Sequence, residues 1–342
     1  MEHDVINATL YRLDLPLVRP FETASGQVAV RTVGLVSASR DGVTGWGEAA
    51  PYPGQDEAFD DVMEAARTAT TTPTLAAAID EAVSDLVARE RGERIVSELG
   101  PSLEAVPMSI AIGMGGGAVG AVEEAARSGI SRFKVKIMPG RTSHVAEIRR
   151  LFPEVTIGVD ANGSFDASTV SEVLDLAGLD LMYVEQPTAS ADDPAAEVLV
   201  EAGFDVFVDE SIRSLASAAD VLAMPWVSGI VVKPGRLGWR SSVAVVKMAR
   251  AAGRKWRASG LLETGIGRAY TLALAAAKDA YPSDVAPASM YLTHDVAPHR
   301  VIDGHVVVET GPGTGLGVDL DDIANQAVDV IALSGSAIPD RG

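Results

Sequence analysis

FKVKIMPG, residues 133–140, sets two lysines two positions apart on an otherwise apolar stretch. Side chains of a strand alternate between its faces, so Lys134 and Lys136 point the same way. Like charges are seldom buried side by side without partners. The question is what lies around the end of that strand, and the sequence downstream supplies an answer.

From Pro107 onward, short apolar runs recur, each followed by a helical segment. They are MSIAIG, FKVKI, VTIGVD, LMYVEQ, VFVDE, GIVVK and WRASG, with a less regular eighth around MYLTHDV. Continuous apolar runs alternating with helices indicate parallel strands covered on both faces. Lys136, Asp160, Glu185, Asp209 and Lys233 each stand at the C-terminal end of a run, at intervals of 24, 25, 24 and 24 residues. Each interval fits one strand, one helix and two loops, and the runs lack the LxxLxL pattern of a leucine-rich solenoid. The spacing predicts a parallel (β/α) barrel, whose active site lies at the C-terminal mouth of the strands. Five polar side chains then converge on one place.

The first half of the sequence has a different rhythm. TLYRLDL alternates in character, and Asp41-Gly42 separates two strand-like runs, a hairpin signal. RPFETASGQ reads as a polar loop between strands. Leu75, Ile79, Val83, Leu86 and Val87 fall on one face of a helix. Strands followed by helices make residues 1–103 an α+β unit, and 104–299 the barrel.

Composition narrows the function. With 47 acidic and 28 basic residues the formal charge is −19, which argues against nucleic acid or an anionic membrane as partner. The absence of cysteine excludes disulfides, thiolate nucleophiles and cysteine-ligated zinc or iron–sulfur sites. MEHDVINATL has neither the basic nor the apolar region of a signal peptide. The uncharged run from Ala105 to Val122 carries a proline, a serine and five glycines, so it fits a buried strand, a glycine loop and a helix start better than a membrane span. A cytoplasmic protein acting on a small molecule is expected; the oligomeric state stays open.

Asp160, Glu185 and Asp209 would repel one another around one mouth unless a cation sat among them. An all-oxygen donor set selects Mg²⁺, with Mn²⁺ as a substitute. Lys136 on the second strand and Lys233 on the sixth then face each other across the ring. A desolvated lysine beside another cation has a lowered pKa, which makes Lys136 a candidate base and Lys134 its tuning neighbour. The alternative for Lys134 is simple pairing with a carboxylate. A divalent metal opposite a lysine suits removal of a proton α to a carboxylate, because the metal stabilises the enediolate that forms.

These pieces resemble the enolase superfamily, and within it the muconate-lactonising subgroup. The matching segments are KVK (134–136), VDAN (159–162), VEQP (184–187), VDES (208–211) and VVKPGRLG (231–238). TASG (23–26), GWGEAAP (45–51) and the helix AAAIDEAVSDLVARERG are similar to its capping domain. The resemblance implies a modified TIM (β/α) barrel with an α+β capping domain, to which residues 300–342 return. It implies Asp160, Glu185 and Asp209 as metal ligands, Lys136 and Lys233 as catalytic lysines on opposite faces, and Glu210 behind the ligands rather than among them. The stretch SGLLETGIGRAYTLALAAA (259–277) is similar to that of o-succinylbenzoate synthases and N-succinylamino acid racemases. The first of these implies Mg²⁺-dependent dehydration of 2-succinyl-6-hydroxy-2,4-cyclohexadiene-1-carboxylate in menaquinone biosynthesis. Asn162, Ser259, Gly260 and Thr23 are the expected substrate contacts. A racemase, dipeptide epimerase or muconate-type cycloisomerase is the alternative.

Overall fold

The computed structural model describes residues 5–23, 26–52, 57–114 and 117–334, with backbone alone for 21–23 and 26–27. Its centre is a parallel sheet of seven strands: β5 (Ile110–Ile112), β6 (Arg132–Lys136), β7 (Thr156–Asp160), β8 (Leu181–Glu185), β9 (Val206–Val208), β10 (Gly229–Val232) and β11 (Lys255–Ala258). They lie side by side in chain order. Helices connect them, as right-handed parallel crossovers require.

The sheet curls until its edges meet through a short stretch rather than an eighth strand. Tyr281 N donates to Trp256 O at 2.8 Å, Asp284 N to Ala258 O at 3.0 Å, and Ser109 N to Val285 O at 2.9 Å. Residues 281–285 therefore close the ring between β11 and β5. This corrects the expectation of an eighth strand around MYLTHDV, which follows the 3₁₀ turn Ala288–Met290 and makes only an isolated bridge, Leu292 to Leu17. The closing stretch YPSDV contains Pro282, which has no N–H to donate, so its ladder is too short to show an apolar run.

Residues of opposite parity face opposite ways. Val135, Val159, Val184, Val208, Val232 and Ala258 pack outward against the helices in the main core. Tyr183, Phe207 and Val231 pack inward. The Phe207 ring stands 5.6 Å from Tyr183 and 5.2 Å from Tyr281, between centroids. These rings fill the barrel interior, and one residue pair further along each strand the polar groups begin.

The second unit is an antiparallel sheet of β1 (Asn7–Thr23), β2 (Gly26–Arg40), β3 (Val43–Ala49) and β14 (Asp329–Leu333), in the order β14-β1-β2-β3. The hairpin at Asp41-Gly42 forms as expected, with φ of 50° and 79°. The described part of RPFETASGQ is not a loop: β1 and β2 stay paired there, Phe21 opposite Val28 and Thr23 opposite Gly26, after an irregularity between Pro16 and Phe21. The helix Pro73–Glu90, with Leu75, Ile79 and Leu86 buried, covers this sheet. β4 (Ala105–Pro107), β12 (Val301–Ile302) and β13 (His305–Val307) form a small separate sheet. Among the described residues no helix is long and apolar enough to cross a membrane.

Candidate active site

Register aligns the polar side chains. Lys136 pairs with Asp160, and Asp160 with Glu185, as the last residues of β6, β7 and β8. Asp209 and Lys233 follow directly after β9 and β10. Lys134, Lys136, Asn162, Lys233, Ser259 and Gly260 line one pocket at this end of the barrel. The five strand-end groups that the spacing singled out thus do come together. The side chain of Thr23 lies outside the described residues.

Each carboxylate is held by cations. Asp160 Oδ2 is 2.7 Å from Lys136 Nζ and 3.0 Å from Lys134 Nζ. Glu185 is 3.0 Å from Lys134 and also pairs with Arg257. Asp209 Oδ2 is 2.5 Å from Lys233 Nζ, and its Oδ1 is 3.1 Å from Arg236. Lys134 makes a third contact, 2.8 Å to Asp284, which Arg257 also holds. Lys134 therefore sits among three carboxylates, the pairing that the sequence left as its alternative.

These contacts decide the proton affinities. Burial works against the Lys134 ammonium, but Asp284, Glu185 and Asp160 outweigh it and hold Lys134 well above the ordinary lysine value. Burial is the largest influence on Lys136 and favours its neutral form, as does Lys134, but the charge and hydrogen bond of Asp160, together with Tyr52, leave the net shift upward. This corrects the expectation of a lowered Lys136: Lys134 does push it down, but the Asp160 carboxylate is closer to it than to Lys134. Asp160 and Asp284 are driven far below the usual carboxylate range, despite burial, by Lys136 and Lys134 and by Arg257 and Lys134 respectively. Burial pushes Glu185 up to about 8 against the pull of Lys134 and Arg257. Glu210 is raised by burial and by Asp209.

Neighbouring groups fix the orientation. Asn162 Oδ1 accepts from Lys136 Nζ at 2.5 Å while its Nδ2 donates to Glu210 at 2.9 Å. Ser259 donates to Asp284 at 3.2 Å. Gln186, with φ of 38°, accepts from Asp209 N at 2.8 Å and donates to Thr188 O at 2.9 Å, which ties the ends of β8 and β9 together. A residue held at positive φ beside these buried charges is strained backbone that packing must enforce. Arg257, Asp284, Gln186 and Tyr52 are site residues that the sequence reading did not select. Arg257 was within reach, since it is two positions before Ser259 on the same strand face.

The sequence profile described as "Enolase C-terminal domain-like" matches residues 118–323. The chain belongs to the enolase superfamily. It is 27% identical to an o-succinylbenzoate synthase of Bacillus subtilis (strain 168), over 93% of this chain and 95% of that one. It is 30% identical to an N-succinylamino acid racemase of Thermus thermophilus, over 92% of this chain and 94% of that one. A solved enolase-superfamily structure from Listeria innocua, 22% identical, superposes with a TM-score of 0.86 over 97% of this chain and 100% of that one. The barrel-and-cap fold is thus that of the superfamily.

The family implies a divalent metal. Among the described residues no three His, Asp or Glu side chains converge closely enough to hold one, and each of the three carboxylates has a lysine against it. The donor chemistry nevertheless fits. Asp160, Glu185 and Asp209 are buried, offer hard oxygens only, and end neighbouring strands. Each of the three has a lysine ammonium on a flexible stem among its counter-ions, which can yield to a cation of higher charge, while Arg257 and Arg236 also hold Glu185 and Asp209.

Proposed function

We propose that this enolase-superfamily enzyme is an o-succinylbenzoate synthase that dehydrates 2-succinyl-6-hydroxy-2,4-cyclohexadiene-1-carboxylate to 2-succinylbenzoate, a cytoplasmic step of menaquinone formation. One observation carries the reading: Lys136 and Lys233 project into the same pocket from strands separated by three carboxylate-ended strands. Full-length similarity to a synthase of that name adds support.

Asp160, Glu185 and Asp209 would hold Mg²⁺, or Mn²⁺ in its place. When bound, the ion supplies positive charge beside the substrate carboxylate, where negative charge develops on proton loss. The same charge would take over Asp160, whose contact is what holds the proton on Lys136. Lys136, as the free amine, then accepts the proton from the ring carbon bearing the carboxylate. The electron pair of that C–H bond moves into the ring and the C6–O bond breaks. Lys136 returns its proton to the departing hydroxide, which leaves as water from the same face. Lys233 keeps a positive charge over the opposite face and steadies the anionic ring. Asn162 orients Lys136, and Glu210 orients Asn162. The capping unit, residues 1–103 with the C-terminal segment 300–342, would close over the pocket.

The second reading is racemisation of N-succinylamino acids, favoured by the 30% identical relative of that name. Both lysines would then exchange protons with the substrate. The decisive experiment supplies the cyclohexadiene acid with Mg²⁺ and follows the absorbance of the aromatic product. In parallel, N-succinylamino acids are incubated in D₂O. Rapid α-deuteration with racemisation and no aromatic product would replace the first reading by the second.

A further inference from the structure

The mechanism above uses the lysines around the carboxylates, but the pocket has another cation. Arg268 lies in the first turn of the helix Gly265–Ala275 and lines the same pocket as Lys136 and Lys233. Its residue is only 5% exposed. Lys136, Lys233, Arg236 and Arg257 are each committed to Asp160, Glu185, Asp209 or Asp284. Arg268 touches none of these. Its Nη2 is 3.1 Å from Glu263 Oε2, and its buried Nε has no hydrogen-bond partner among the described residues.

A guanidinium has five N–H donors in a planar fork, and in Arg268 the Nε–H is the buried one left over beside the pair with Glu263. A buried donor left without a partner costs free energy, so such a group calls for an acceptor. The wall beside it is glycine. A Cβ on Gly260 would stand 2.5 Å from Arg268 Nη1 and 2.4 Å from Glu263 Oε2. Glycine at 260 thus lets the Arg268–Glu263 pair pack directly against the backbone beside Ser259, itself a pocket residue. Tyr291, another pocket residue, is raised by burial, and the nearby Arg268 charge offsets part of that rise.

We infer that Arg268 is the receptor for a second carboxylate of the substrate, remote from the one beside the reacting carbon. The site therefore selects dianionic substrates with a terminal carboxylate on a short flexible arm, the end of the arm passing over Gly260. This rests on the proposed reaction at Lys136, which fixes where the first carboxylate lies.

The test uses two ligand pairs identical but for the terminal carboxylate: 2-succinylbenzoate against 2-butanoylbenzoate, and N-succinyl-L-phenylalanine against N-butanoyl-L-phenylalanine. Dissociation constants are measured calorimetrically on the full Mg²⁺-loaded chain, for wild type, Arg268→Met and Arg268→Lys. For whichever pair binds, wild type should prefer the succinyl ligand by about 10- to 100-fold, the span of one charge-assisted hydrogen bond. Arg268→Met should abolish the preference and Arg268→Lys restore part of it. If Arg268→Met does not fold, the lysine variant, with a shorter reach and no fork, should still shrink the preference. A preference unchanged in both variants overturns the anchor and leaves the proposed reaction standing. Wild-type binding of neither pair overturns both.

Discussion

Lys136 touches both Asp160 and Asn162, and that double contact makes it a group with one assignable role. Lys136→Ala should lower kcat for aromatic product formation by roughly 10²- to 10⁴-fold, the usual worth of a positioned general base. Stopped-time assays at saturating substrate measure this, and activity within tenfold of wild type would remove Lys136 from the chemistry. Arg257 has the opposite character. It is fully buried, joins Glu185 to Asp284, and lies 4.1 Å over the Tyr183 ring. Arg257→Met leaves two buried carboxylates short of a counter-ion and should cost about 3–5 kcal/mol, read as a lowered urea midpoint. The contrast also shows what single residues disclose in sequence. Lys136, Asp160 and Glu185 were visible because they interrupt apolar runs at a regular spacing. Asp284 was not, because it belongs to the proline-containing closing stretch, which has no apolar run to interrupt. Gln186 stands within VEQP but was not singled out; its bracing of Asp209 goes with a positive φ that periodicity does not encode.

At the scale of elements, period and length carried most of the information. The parallel strands and the helix Pro73–Glu90 fall where apolar patterning put them, and the hairpin where Asp41-Gly42 put it. The errors came where pairing is non-local. The extension of β1 and β2 through RPFETASGQ is made by cross-strand partners, not by the composition of either strand. GWGEAAP was recognised as a similarity, and the structure gives it a physical cause. A Cβ on Gly45 would stand 2.2 Å from Leu86 N and 2.3 Å from Ala82 O, and one on Gly47 only 2.1 Å from Ala78 O. Both clashes are with helix backbone, so no rotamer change relieves them. The glycines let β3 lie directly on the helix Pro73–Glu90. Gly47→Ala must push sheet and helix apart, and should destabilise the chain by about 2–3 kcal/mol, the upper part of the overpacking range. Urea unfolding would show it; a loss below about 0.5 kcal/mol would mean that this contact is not tight.

At the scale of the whole molecule, the cap sheet and the barrel are joined by buried acid. Glu48 on β3 accepts hydrogen bonds from Thr264 N, Thr264 Oγ1 and Gly267 N at the start of the helix Gly265–Ala275. Its own N–H donates to Glu81 on the cap helix at 3.1 Å. The Tyr270 hydroxyl, with one hydrogen to donate, lies between Trp46 O and Glu81 O, within hydrogen-bond reach of both. Glu81 and Glu263 face Glu48, and Arg268 pairs with Glu263. Burial is the largest influence on Glu48, and it lifts the carboxyl from 4.5 to about 7 in spite of the hydrogen bonds. Between those two values the folded chain binds more protons at this group than the unfolded chain does. The sign follows: Glu48's contribution to stability is fully present below about pH 4.5 and is lost as the pH rises through about 7. The shift corresponds to about 3 kcal/mol across that window. His144 and His299, both lowered by burial, act with the opposite sign, and Glu81 with the same sign. The comparison must therefore be with a variant at the same pH. The difference in unfolding free energy between Glu48→Gln and wild type should move by about 3 kcal/mol in favour of the variant from pH 5 to pH 8. Urea titrations at intermediate pH values trace the curve. A difference that stays constant across the window would mean that Glu48 is ionised throughout, held by the helix N-terminus and its donors, and that the cap is fastened to the barrel by an anion.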